Sequence, residues 1–188
     1  MEKPERRVCM QNNFLIALCG RSGSGKSSIS QELKDKYGWT SIESYTTRPK
    51  RAETEKGHIF ISEEEFDQIP ENSRIAFTKF DGHRYCTTAK QVEEAEIYVV
   101  DFPGVRELKE RYHGNKTIAV VFLDAPTDVL EKRMRQRGDL QEKIQKRMKN
   151  DDRMFREEGV EIDLRIDARK SIQEIANTIA NYIETYHI

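Results

Sequence analysis

Residues 20 to 27 read Gly-Arg-Ser-Gly-Ser-Gly-Lys-Ser, a full match to the spacing G-x-x-x-x-G-K-[ST]. The six residues before it, Phe14 to Cys19, are continuously apolar, and a helical pattern follows over 26 to 37. A buried strand, a glycine-rich turn and a helix in that order confine the chain to an α/β architecture with a parallel sheet covered on both faces. The glycines let consecutive N–H groups converge on an anion, and the following helix adds its positive N-terminal end. Gly20, Ser22, Gly23, Ser24, Gly25, Lys26, Ser27 and Ser28 are therefore candidate ATP-binding residues, with Lys26 reaching the β- and γ-phosphates and the Ser27 hydroxyl on Mg²⁺.

Two further apolar runs, Glu96 to Val100 and Ile118 to Leu123, alternate with helical patterns at 89 to 94 and 103 to 111. The C-terminal third reads as helices over Thr127 to Arg137 and Leu140 to about Glu158, separated at Gly138-Asp139. A strand near Ile162 to Ile166 follows, then a helix opened by the capping box Ser171-Ile-Gln-Glu174. The middle differs. From Ser44 to Gly57 the chain is polar and basic without an apolar period, and Ser62-Glu-Glu-Glu65 is a second capping box. Ile75 to Phe80 and Arg84 to Thr88 flank Asp81-Gly82-His83, a hairpin signal. The expectation is one cooperative unit with its core over about 14–43 and 89–188, a small, partly antiparallel insertion over about 44–88, and a helical lid over about 133–150.

The 32 Lys and Arg nearly cancel the 33 Asp and Glu, for a net charge of −1, so neither nucleic acid nor an anionic membrane is indicated as a partner. Cys9, Cys19 and Cys86 are odd in number and lack a C-x-x-C pair, which argues against a disulfide framework or zinc site and fits a reducing cytoplasm. The longest apolar stretches are six residues, too short to cross a bilayer.

A magnesium-dependent phosphate site needs a second oxygen ligand at the end of a neighbouring strand, and Asp101 closes Ile-Tyr-Val-Val in that way. It is equally suited to cap the helix that starts at Pro103, and both roles are compatible. Asp124 also follows an apolar run, but Ala-Pro-Thr-Asp comes after it, so capping or turn chemistry is expected there. Joining two phosphate groups demands positive charge on both sides of the transfer point. Thr46-Thr47-Arg48-Pro49-Lys50-Arg51 sets three cations in four residues, suited to an acceptor phosphate, while Arg133, Arg137 and Arg147 lie around the break at Gly138 where a lid would carry them to the donor.

Taken together, these segments resemble the guanylate kinase family of P-loop nucleoside monophosphate kinases, from Phe14 to the C-terminal helix. SYTTRPKR at 44 to 51 and GHIFISEEEF at 57 to 66 carry the similarity most specifically, with FDGHRYCT at 80 to 87, VDFPG at 100 to 104, RQRGD at 135 to 139 and QKRM at 145 to 148. The resemblance implies a P-loop NTPase three-layer fold and transfer from ATP, with Mg²⁺, to a small phosphorylated acceptor, GMP first among them, in a monomer or homodimer. It implies Lys26, Arg48, Arg137 and Arg147 as catalytic residues and Ser44, Arg48, Arg51, His58, Tyr85 and Thr87 as the acceptor site, with Ser27 and Asp101 on the metal. The chain departs from the family at the acceptor: His58 replaces a phosphate-binding Tyr, and Ala76 and Val99 stand where acidic residues read guanine. Glu55-Lys-Gly-His58 also resembles ribose 1,5-bisphosphate phosphokinases, which leaves a base-free acceptor as an alternative. A guanylate kinase-like binding module without catalysis is a third reading.

Overall fold

The computed structural model describes residues 13–50, 53–156 and 158–186. The first half of the chain runs β1 (Phe14–Gly20), α1 (Lys26–Tyr37), β2 (Ser44–Thr46), β3 (His58–Phe60), α2 (Glu63–Gln68), β4 (Arg74–Phe80), β5 (His83–Thr88) and α3 (Ala89–Glu94). The second half runs β6 (Ile97–Val99), α4 (Phe102–Arg111), β7 (Thr117–Asp124), α5 (Thr127–Gln136), α6 (Gln141–Met154), β8 (Leu164–Asp167) and α7 (Ile172–Tyr186).

A parallel sheet of order β6-β1-β7-β8 forms the centre. β1 is buried at every position because both its faces are covered, which is why it reads as an unbroken apolar run. Its residues alternate between layers. Phe14, Ile16 and Leu18 pack with Ile29 and Leu33 of α1 and with Ile175, Ile179 and Ile183 of α7. Ala17 and Cys19 face the other way, onto Phe102 and Val105 of α4. The result is the three-layer α/β sandwich expected of a chain with this pattern.

Residues 44–88 build a second, mixed sheet of order β3-β2-β5-β4. The β4–β5 hairpin turns on Asp81 and Gly82, at φ 51° and 82°, the paired left-handed residues of a two-residue turn. α2 begins with the reciprocal Ser62–Glu65 box and is anchored by Phe66, fully buried beside Phe77 and beneath the guanidinium groups of Arg74 and Arg84. A register shift in β4 places Ala76 at φ 53°, a buried non-glycine residue in the left-handed region.

Four expectations are corrected. The stretch from Ser44 to Gly57 contains β2, whose three residues are too few to show a period. α6 stops at Met154 rather than near Glu158, because Phe155 leaves helical geometry and wedges its ring against Phe102 and Phe122. β8 starts at Leu164, two residues late. Asp124 caps nothing: α5 starts after Pro126 without a side-chain cap, and the Asp124 carboxylate pairs with Arg165 at 3.1 Å.

At α7 the Ser171 hydroxyl accepts the Glu174 N–H at 3.2 Å while the Glu174 carboxylate accepts the Ser171 N–H at 3.0 Å. Ser171→Ala removes one half of that exchange and is expected to cost about 1 kcal/mol, read as a shift in the denaturant midpoint at unchanged slope. Cys19 and Cys86 are free and buried, and burial pushes the Cys86 thiol up to about 11. Cys9 lies outside the described residues. Among the described residues no helix is long and apolar enough to cross a membrane.

Candidate active site

β1 ends at Gly20 and α1 begins at Lys26, so the loop between them is held at both ends by the core. Gly25 is the N-cap of α1 at φ 94°, and no side chain caps the helix, which leaves its first N–H groups for a ligand. Gly23 sits at φ 83°, where a Cβ would lie 2.8 Å from the Leu130 carbonyl oxygen, so only glycine lets the loop pass α5. The Lys26 ammonium folds back over the loop, donating to the Gly20 carbonyl at 2.5 Å and the Arg21 carbonyl at 3.0 Å. Burial lowers its pKa, opposed by the carboxylates of Asp151 and Asp101 and by Cys19. The Ser24 hydroxyl is buried beneath the loop without a partner.

Ser22, Gly23, Ser24, Gly25, Lys26, Ser27 and Ser28 line a cleft of about 600 Å³, walled opposite by Arg133, Arg137 and Arg147 and by the segment after β8. Arg137 and Arg147 share one counterion: Arg137 forms an ion pair with Asp139, and Arg147 lies 3.7 Å from the same carboxylate. Arg133 behaves differently. Its guanidinium donates to the carbonyls of Ala168 at 2.8 Å and Gly23 at 3.4 Å, bracing the phosphate loop against the chain beyond β8.

A second cavity, about 250 Å³, lies between the loop and the inserted sheet. Gly20, Ser22 and Lys26 form one end; Ala76, Phe80, Tyr98, Val99 and Phe155 form much of the remaining wall, with Ser44, His58, Tyr85 and Asp101 also on its lining. His58 Nδ1 is 2.9 Å from the Ser44 hydroxyl, and the His58 ring meets Tyr85 edge-on at 5.8 Å. Ser44, His58 and Tyr85 also line an adjoining space with Arg48, which clasps Glu55 through two bonds of 2.8 and 3.2 Å. Arg51 lies outside the described residues. Thr87 is fully buried, donates to Gln91 Oε1 at 2.9 Å and lines neither cavity, so it is not brought together with Ser44, Arg48, His58 and Tyr85.

Asp101 caps α4, accepting the Gly104 N–H at 2.8 Å, and also opens on the second cavity. Burial raises its pKa, opposed by the Gly104 bond, Arg106 and Lys26. Ser27 instead lines the larger cleft and the adjoining space beside Arg48. One hydroxyl and one carboxylate are hard oxygen ligands and suit Mg²⁺, which keeps most of its shell for water and phosphate. No group of three or more His, Cys, Asp or Glu among the described residues forms a metal cage.

The residue that sequence reasoning missed is Asp151. Its alternating charges make α6 look like an exposed face, yet Asp151 is 6% exposed and accepts the Ser22 N–H at 2.7 Å and the Ser22 hydroxyl at 3.3 Å. Beside it, Asp152 pairs with Arg21 at 3.0 Å. The detectable signal was the spacing Ile144, Met148, Asp151, Phe155, which puts Asp151 on the one apolar stripe of the helix.

The guanylate kinase family model matches residues 12–186. A guanylate kinase of Clostridium tetani is 31% identical over 151 residues, covering 75% of this chain and 72% of that protein. One from Helicobacter pylori is 33% identical over 153 residues, covering 75% of this chain and 73% of its own. Among solved structures, a guanylate kinase from Anaplasma phagocytophilum superposes with a TM-score of 0.61 at 16% identity, over 94% of this chain and 87% of that one. A gluconokinase from Sinorhizobium meliloti shares the fold more loosely, with a TM-score of 0.54 at 20% identity, over 94% and 97% of the two chains. With a phosphate loop between two cavities and a family match across nearly its whole length, the chain belongs to the guanylate kinase family of nucleoside monophosphate kinases.

Proposed function

We propose that the protein transfers the terminal phosphoryl group of ATP, as its Mg²⁺ complex, to GMP. The observation that carries this reading is the shared wall of the two cavities: Ser22 and Lys26 line both. In-line transfer needs donor and acceptor phosphates to meet at one point, and a wall common to both sites supplies it. Lys26, Arg137 and Arg147 neutralise charge on the donor side, and Arg48, with Arg51 in the same basic run, does so for the acceptor. Ser27 and Asp101 would hold Mg²⁺, which when bound draws charge from the β- and γ-phosphate oxygens. A phosphate acceptor is already a nucleophile, so no general base is required. Residues 44–88 serve as the acceptor-binding region and residues about 133–150 as the lid, and the free cysteines suit a reducing cytoplasm.

One observation favours a second reading. Guanine presents N–H donors that a specific site must satisfy, yet Ala76 and Val99 line the acceptor cavity without acceptor groups, and the Thr87 hydroxyl is committed to Gln91. A base-free acceptor such as ribose 1,5-bisphosphate fits that wall. ADP release from Mg·ATP, measured across nucleoside and deoxynucleoside monophosphates and ribose 1,5-bisphosphate, separates the two. GMP is expected to give the highest kcat/KM, at least about tenfold above the other acceptors. The opposite order would overturn guanine in favour of the sugar phosphate, and tight Mg·ATP binding without turnover on any acceptor would leave a binding module.

A further inference from the structure

Asp151 is a buried carboxylate on an anion-binding loop. Its bond to the Ser22 N–H takes the kind of main-chain donor that such a loop offers to phosphate oxygens. Ser22 is one of the two residues common to both cavities; Asp151 itself lines the second cavity and not the larger cleft, so it acts on the donor side through Ser22. The carboxylate is buried rather than a solvated surface charge. α6 brings Arg147 to the donor cleft, Asp151 to Ser22 one turn later, and Met154 to the acceptor cavity, so one rigid element ties all three places together.

We propose that Asp151 is a specificity-determining residue of the donor site: it competes with a terminal phosphate for the Ser22 N–H and so narrows the preference of the site for a nucleoside triphosphate over the diphosphate product. The inference rests on the donor reading of the larger cleft and adds to it. Two anionic groups contending for one donor repel at close range, and because Ser22 lies on the wall shared with the second cavity, the phosphate nearest that cavity, the terminal one, would bear most of the repulsion. Burial raises the Asp151 pKa, opposed by its bonds from Ser22 and by Lys26 and Arg21. The consequence for turnover is that the product leaves a loop that its own carboxylate can reclaim.

Asp151→Asn keeps an oxygen that accepts the Ser22 N–H and removes the charge. Calorimetric titration of Mg·ATP and Mg·ADP, without acceptor, is expected to show ATP binding about tenfold tighter in the variant and ADP binding changed by less than about threefold. Equal tightening of both nucleotides, no change, or weaker binding of ATP would each overturn the proposal. A mere brace gives a different pattern: Asp151→Ala weakens both nucleotides alike and Asn restores them. A variant-free measurement guards against misfolding. In the wild type ADP is expected to bind at least as tightly as ATP, and ATP binding tenfold tighter than ADP would refute the competition. If the wild type binds neither nucleotide, the donor reading itself has failed and the proposal falls with it, a result visible before any variant is made.

Discussion

Lys26→Ala is expected to lower kcat by at least about a thousandfold while the folded state survives with its thermal midpoint little changed. Removing one preorganised donor from a developing charge costs about a hundred- to a thousandfold in rate, and here the lost group is a full positive charge on the wall common to both cavities. Stability behaves differently. The Lys26 ammonium is held by two carbonyls of its own loop, and burial lowers its pKa. A lysine with a lowered pKa in the folded state binds its proton less tightly there than in the unfolded chain, so stability rises with pH across the interval between the two values. Deleting that charge therefore removes a cost as well as two bonds. Steady-state ADP release and a melting curve on the same sample check both halves, and wild-type turnover in the variant would overturn the mechanism.

Gly23→Ala is expected to be far more damaging than Gly25→Ala, although each adds one methyl to the phosphate loop. The position combines φ 83° with a backbone oxygen, that of Leu130, only 2.8 Å from where the Cβ would sit. Neither strain can be relieved by a side-chain rotation, so the loop must lift off α5. Nucleotide affinity is expected to fall about a hundredfold, with about 2–3 kcal/mol of stability lost to strain and repacking. Gly25→Ala is the control. It has φ 94° but nothing within 4 Å of the new Cβ, so only the left-handed penalty of about 1–2 kcal/mol applies. Equal losses in the two variants would show that backbone conformation, not contact with α5, governs the loop.

The phosphate loop was legible because its chemistry is written in adjacent residues: the strand, the glycines and the helix start all lie within 14 to 37. The capping boxes at Ser62 and Ser171 were legible for the same reason, since each closes over three residues. What escaped depends on partners far along the chain. The bracing role of Arg133 comes from carbonyls at Gly23 and Ala168, which no side-chain pattern reveals. The burial of Asp151 follows from α6 lying on the loop 129 residues earlier, and a run of mixed charge hides it. Thr87 reads as part of an acceptor motif, yet its strand turns the hydroxyl to Gln91.

Ala76 sits at φ 53° on the wall of the second cavity, and this has a bearing on how such a cavity diversifies. The left-handed region excludes β-branched side chains and tolerates Asn and Asp several-fold more readily than most residues. A drifting lineage at this position is thus channelled toward glycine, or toward short side chains that carry hydrogen-bonding groups into the cavity, and away from the bulky apolar residues that would fill it. The register shift in β4 thus leaves the wall open to a polar side chain at this one position, with the pairing on either side of it undisturbed.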